Sequence, residues 1–236
     1  MLHRFKIFLP ITAIFMLFLA WSGATRADTV DLSIVFTSSI SDISKSKDQE
    51  GLEQLASLLA EFRTGKQNII YLHGGRLLGP SPLGSLDQGA HMVDLLNGLE
   101  PAAMAVAGRE LMYGKNELLR RAAEARFPFL AANLLDKGKD RSLSETRSYF
   151  LVDAGPVKLG LFAVVSPDVL TNFLIEGVEV RDPTAAIGKI ARKLRRDGAD
   201  IVVMLADVEP DNLVELRKKF GLDIVLVASP SSNRVV

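Results

Sequence analysis

Tyr71-Leu72-His73-Gly74-Gly75-Arg76 is the stretch on which the reading of this chain turns. Asn68–Leu72 reads as a short apolar strand that breaks at its carboxyl end into a glycine-bearing turn. The same order recurs: Val30–Phe36, Ala102–Val106, Phe129–Ala132, Ile201–Leu205 and Asp223–Val227 are further short apolar runs. Between them, Leu52, Leu55, Leu59 and Phe62 recur at helical spacing and predict an amphipathic helix over about residues 50–63. Asp87 is placed to cap a helix carrying Met92, Leu95 and Leu96, which Gly98 would end. Lys115–Ala125 and a stretch near Asp211–Phe220 are further helices. Asp182 caps and Pro183 opens another, bearing Ile187, Ile190 and Leu194 and closed by Gly198. Tyr149–Asp153 and Val157–Val164 flank Gly155-Pro156 and read as a hairpin. Strands alternating with helices predict an α/β domain with parallel strands, and the hairpin adds a mixed second sheet.

The 236 residues, 48% hydrophobic and 24% charged, suit one globular domain with a full core. Residues 1–27 are set apart from it. Arg4 and Lys6 precede an apolar run from Ile7 to Trp21, then small and polar residues up to Ala27, the order of a secretory signal peptide. A retained membrane anchor is the other reading, but the run is shorter than the roughly 20 apolar residues of a spanning helix. The expectation is therefore an exported, periplasmic or secreted protein with a single domain over residues 28–236, which touches a membrane only through an uncleaved signal segment. Removing Arg4, Lys6 and Arg26 leaves 25 basic against 28 acidic side chains. No Lys/Arg-rich block stands out, which argues against a nucleic-acid polymer as partner. The absence of cysteine excludes disulfides, thiolate catalysis and Cys-ligated zinc. Beyond residue 27 only His73 and His91 remain, too few for a metal pair rich in imidazole.

Several strand-end turns together carry a resemblance. Ile34-Val35-Phe36-Thr37-Ser38-Ser39-Ile40-Ser41, the Tyr71–Arg76 stretch with Ser81-Pro82-Leu83, and Ala103–Gly114 follow one another in the order and spacing of the 5′-nucleotidase branch of the calcineurin-like metallophosphoesterases. Phe127-Pro128-Phe129-Leu130, the hairpin with Ser166-Pro167-Asp168, and Val227–Ser231 resemble it as well, so the likeness covers about residues 30–232. It implies a sandwich of two mixed sheets flanked by helices, with the site at the strand carboxyl ends. It also implies a departure from the family's chemistry. Ser39 and Ser41 stand where the family has an Asp-x-His pair, and Arg76 where it has the metal-bridging Asp. Gly108 and Arg109 replace the Asn and His of Gly-Asn-His-Glu, of which Glu110 survives. Asp207 occupies a further His position, and Ser229 and Ser231 replace the final His-x-His pair. The family's later strands and its C-terminal nucleoside-recognising domain have no counterpart before Val236.

Two cations about 3.5–4 Å apart need imidazole and carboxylate ligands, which serine hydroxyls and arginine do not replace. The expectation is thus no catalytic residue, no metal and no cofactor, in a degenerate domain that binds or scaffolds. The alternatives are a phosphoric-ester hydrolase with an atypical metal site, or a truncated remnant of one. Arg76 and Arg109 allow two readings: guanidinium receptors for a small anion, or internal partners of Asp207 and Glu110. A single metal held by His73, Asp207 and Glu110 is a further possibility in composition, opposed by the adjacent Arg76. His91 reads as a solvated or packed side chain, and Ser38–Ser46 as a flexible surface loop, with no Gly-x-Ser-x-Gly elbow and no His placed as a base. A protein partner or self-association is expected at an incomplete sheet edge on the side of the hairpin.

Overall fold

The computed structural model describes residues 31–40, 52–65, 68–173, 175–208, 213–228 and 234–235. The expected signal segment, most of the serine-rich loop, and Ser41, Ser229 and Ser231 lie outside them. In chain order the strands are β1 (Ser33–Thr37), β2 (Ile69–His73), β3 (Ala103–Ala105), β4 (Phe129–Leu130), β5 (Leu134–Asp136) and β6 (Thr146–Arg147). They continue as β7 (Phe150–Ala154), β8 (Val157–Val165), β9 (Val178–Val180), β10 (Ile201–Asp207), β11 (Ile224–Val227) and β12 (Arg234–Val235). The α-helices are α1 (Leu52–Gly65), α2 (Gly84–Asp87), α3 (Ala90–Leu99), α4 (Lys115–Glu124), α5 (Val169–Phe173), α6 (Pro183–Arg196) and α7 (Leu213–Phe220). A 3₁₀ turn spans Gly108–Leu111.

Two five-stranded sheets result. The first has the order β1-β2-β3-β4-β6 with every pair parallel. The second has the order β12-β11-β10-β8-β7, parallel at its centre and antiparallel at both edges. Side chains alternate along each strand, so one strand feeds two layers. In β10, Val203 and Leu205 join Ile70, Leu72, Ala105 and Leu130 between the sheets. Val202, Met204 and Ala206 face outward instead, onto Ile187, Ile190 and Leu194 of α6 and Leu213 of α7. On the outer face of the first sheet, Tyr71 and Met104 pack with residues of α1, α3 and α4, among them Leu59, Met92, Leu96 and Leu118. The architecture is the expected α/β sandwich of two sheets with helices on both outer faces.

Two expectations need correction, and some short strands were not foreseen. Asp87 is the last residue of α2 and Gly89 holds the N-cap position of α3, although the Asp87 carboxylate does accept from the backbone N–H groups of Gly89 and His91 at 2.9 Å each, and Gly98 does not end α3. The helix runs to Leu99 and stops where Glu100 turns left-handed at φ 51°. The hairpin forms, but β8 is no exposed strand. It lies between β7 and β10 with every residue of Leu159–Val165 buried, so only β7 is an edge on that side. Finally, β6 completes the first sheet and the β5/β9 pair forms a small third one; both escaped sequence reading because two- and three-residue strands carry no periodicity.

Candidate functional site

The carboxyl ends of β1, β2, β3 and β10 supply the candidate residues. Two glycines are required where β2 ends. A side chain at Gly74 would stand 2.7 Å from the Phe36 ring, and one at Gly75, which has φ 86°, would stand 2.7 Å from the Ala105 carbonyl. The turn then continues through Arg76 at φ 62°, and the turn after β1 passes through Ser39 at φ 60°, both in the left-handed region that L side chains rarely adopt. The two turns are tied together, with Ser39 N–H donating to Gly75 O at 3.0 Å and Gly74 N–H to Thr37 O at 2.7 Å.

Glu110 explains how the Arg76 turn is held. Its side chain is fully buried, and its carboxylate accepts three backbone N–H bonds: Arg76 at 2.9 Å, Leu77 at 2.6 Å and Ala107 at 2.9 Å. Burial pushes the Glu110 carboxyl above the usual carboxylate range, against the pull of those three donors. The residue thus joins the turn after β2 to the turn after β3. This removes it from the pairing expected with an arginine: three inward-pointing N–H groups satisfy a buried carboxylate without a second buried charge.

The other half of that expectation is met. Asp207, at the end of β10 and 7% exposed, accepts at Oδ1 from Arg76 Nη2 at 2.7 Å and Nε at 3.1 Å. Its Oδ2 accepts from Gly108 N–H at 2.7 Å. Both carboxylate oxygens are therefore committed. The Arg109 guanidinium, half-buried, has no ion-pair or hydrogen-bond partner among the described residues. Above Gly108 lies α5, with Phe173 and Val169 3.3 and 3.4 Å from where a Cβ would be. Sequence reasoning missed this short helix, although Ser166-Pro167-Asp168 carries a helix-start signal: Asp168 O accepts from Thr171 and Asn172 N–H.

His73 does not reach a metal-binding arrangement. It is fully buried, and its Nδ1 accepts from Gly75 N–H at 3.1 Å, which leaves the proton on Nε2. Nε2 has no hydrogen-bond partner among the described residues, and burial holds the ring neutral by lowering its pKa to about 3. With one nitrogen accepting and the other protonated, no lone pair is free for a cation. His91 instead faces Asp87, with Nδ1 lying 2.7 Å from Oδ2. Among the described residues no three His, Asp or Glu side chains come together as metal ligands. The metal pair that the resemblance implies does not fit the donors present: a buried Ser39 hydroxyl, two guanidinium groups, a glycine and an Asp207 whose oxygens are taken.

No family model matches the chain. It is 31% identical over 212 residues to a 2′,3′-cyclic-nucleotide 2′-phosphodiesterase/3′-nucleotidase of Salmonella typhimurium, across 78% of this chain and 33% of the relative. A protein of the same description from Yersinia enterocolitica is 29% identical over 230 residues, 85% of this chain and 35% of its own length. The chain thus spans about a third of the length of these curated relatives. Among solved structures, the NAD nucleotidase of Haemophilus influenzae superposes with a TM-score of 0.74 at 16% identity, over 85% of this chain and 38% of that one. A 5′-nucleotidase precursor from Thermus thermophilus gives 0.74 at 19% identity, over 84% and 41%. At those identities the structures establish the shared two-sheet fold.

Proposed function

Because this chain belongs to the 5′-nucleotidase branch of the calcineurin-like metallophosphoesterases, we propose that it is an exported, catalytically degenerate member that acts as a binding or scaffolding module. One observation carries the reading: the Arg76 guanidinium lies on Asp207 at the strand ends, the place where the resemblance implies metals. A guanidinium keeps its charge at any accessible pH, so it excludes a second cation from the same carboxylate. It also neutralises Asp207, a task otherwise left to a metal. The donors present support no hydrolytic step through a metal.

Arg109 is the residue of the pair with donors to spare, which makes a small anion beside Gly108 and Arg109 part of this proposal. A protein partner is the other part, added along β7, whose Leu151 and Val152 are only half-buried.

The test is an assay of the purified protein on 2′,3′-cyclic nucleotides, nucleoside monophosphates and aryl phosphates with added Mn, Zn, Mg or Co. No turnover above background is expected. Turnover that follows the protein through purification and disappears with chelator overturns the reading in favour of a hydrolase with an atypical metal site.

A further inference from the structure

The outer helix of the second sheet carries a feature unrelated to the strand-end site. Pro183–Arg196 of α6 contains five basic residues and no acidic one. Its inner side is taken up by packing: Ile187, Ile190, Ala191 and Leu194 are buried, and Gly188 admits the Phe220 ring of α7. Two of the cations are also occupied. Lys193 pairs with Asp197 at 3.0 Å, and Arg195 pairs with Asp223 at 2.5 Å. Lys189, Arg192 and Arg196 remain, exposed and spaced three and four residues apart on the outward face. Their side chains have no hydrogen bond or ion pair among the described residues.

This ridge opens at its Lys189 end into a cleft of about 280 Å³ between α6 and the segment leading from β5 to β7. Arg181 in the cleft is shared by two carboxylates, Asp140 at 2.5 Å and Glu179 at 2.9 Å, and Asp182 accepts the Thr184 N–H, so the excess of positive charge lies on the ridge rather than within the cleft. Arg141 keeps its charge. Its one acidic contact among the described residues is Asp136 Oδ2 at 3.8 Å, an oxygen that Lys139 already holds at 2.8 Å. Ser142 Oγ and Ser148 Oγ lie 2.7 Å apart on the same wall, and one hydrogen bond between them leaves the second O–H free to donate. The floor is apolar, formed by Ala132, Leu135 and Ile190.

We infer that the α6 ridge and this cleft form a docking surface for an anionic phospholipid bilayer, with a headgroup phosphate seated in the cleft between Arg141 and Lys189. Charge complementarity selects the occupant. Lys189 to Arg196 spans about 10 Å along the helix, enough to lie across neighbouring headgroups, and the cations act together only on a surface that presents many anions. Nucleic acid is the weaker match, because neither ridge nor cleft offers an aromatic side chain for base stacking.

The experiment is flotation of the full chain with vesicles of phosphatidylcholine alone or mixed equally with phosphatidylglycerol. The comparison is wild type against the triple variant Lys189→Glu, Arg192→Glu, Arg196→Glu, with Arg141→Glu as a separate arm. The apolar stretch Ile7–Trp21 is common to all these proteins, so the difference between them is the readout. Each lost cation should cost about fivefold in affinity for the anionic vesicles, and the wild-type advantage should vanish in roughly 1 M salt, where the Debye length is about 3 Å. Circular dichroism and melting should be unchanged, since the substituted side chains are exposed. Equal binding of wild type and triple variant overturns the inference. So does wild-type binding to duplex DNA that exceeds its binding to anionic vesicles.

Discussion

Arg76 and Asp207 are 131 residues apart in the chain and meet across the two sheets, with Nη2 and Nε both directed at one carboxylate oxygen at 2.7 and 3.1 Å. The second oxygen holds the Gly108 N–H. A single carboxylate thereby links the turns after β2 and β3 to the end of β10. The arginine is 18% exposed and the aspartate 7%, so the pair sits in the regime where loss of one partner strands the other.

Arg76→Ala is therefore expected to cost about 3 kcal/mol, the lower end for a broken buried pair because the arginine retains some solvent. For a domain of this size that is a fall of roughly 6–12 °C in melting temperature. Arg76→Ala together with Asp207→Leu should recover part of it, since the stranded charge is gone. A single variant as stable as wild type would show that the pair contributes nothing.

Glu110→Ala removes the acceptor for three buried N–H groups, each worth about 1–3 kcal/mol when left unmade. Loss of the folded state is expected. Glu110→Gln keeps one oxygen and should fold with reduced stability. Equal melting of the alanine and glutamine variants would refute the cradle.

The His73 shift has a definite sign. Its folded pKa is lowered to about 3 from the ordinary 6.5. Its contribution is therefore fully present above pH 6.5 and is lost progressively as pH falls toward 3, by at most about 1.4 kcal/mol per pH unit. Glu110 runs the other way, because a raised carboxyl stabilises the fold on acidification. Asp136, which Lys115 and Lys139 hold down to about 2, adds a loss only below its ordinary 3.8. Urea titrations at pH 7 and pH 5 should show the loss in wild type and a smaller one in His73→Leu. An identical pH dependence in both would remove His73 as its source.

Arg109 is expected to be dispensable for folding and required for anion binding. Phosphate should raise the melting temperature in proportion to its concentration, as a ligand of the folded state does. Arg109→Ala should abolish that rise and leave the melting temperature in phosphate-free buffer unchanged. A rise that persists in the variant places the anion elsewhere.

Much of the fold was legible in the chain. The apolar runs around Ile70, Met104 and Val203 announced strands, and the spacing of Leu52, Leu55 and Leu59 announced α1, because burial imposes a period on side chains that the sequence records. The turns at Gly75 and Gly108 could be located by resemblance, and with them Arg76, Arg109, Glu110 and Asp207. Very short strands were illegible, as β6 shows, since they are held by neighbours rather than by their own pattern.

By itself the sequence determined which side chains are available at the strand ends: Arg76, Arg109, Gly108 and Ser39 occupy positions where the resemblance implies metal ligands, and no fold can turn an arginine into one. Only the tertiary structure decided how those groups are used. Arg76 and Asp207 were candidates for a pair or for a ligand site until the sheets brought them within 2.7 Å. Glu110 could have met Arg109, but burial favoured three backbone N–H groups over a second charge. The basic residues of α6 likewise read as one amphipathic helix. Which of them stay unpaired depends on Asp197 and Asp223, and hence on how the helix ends and how it lies on α7, a matter of packing that spacing along one helix does not encode.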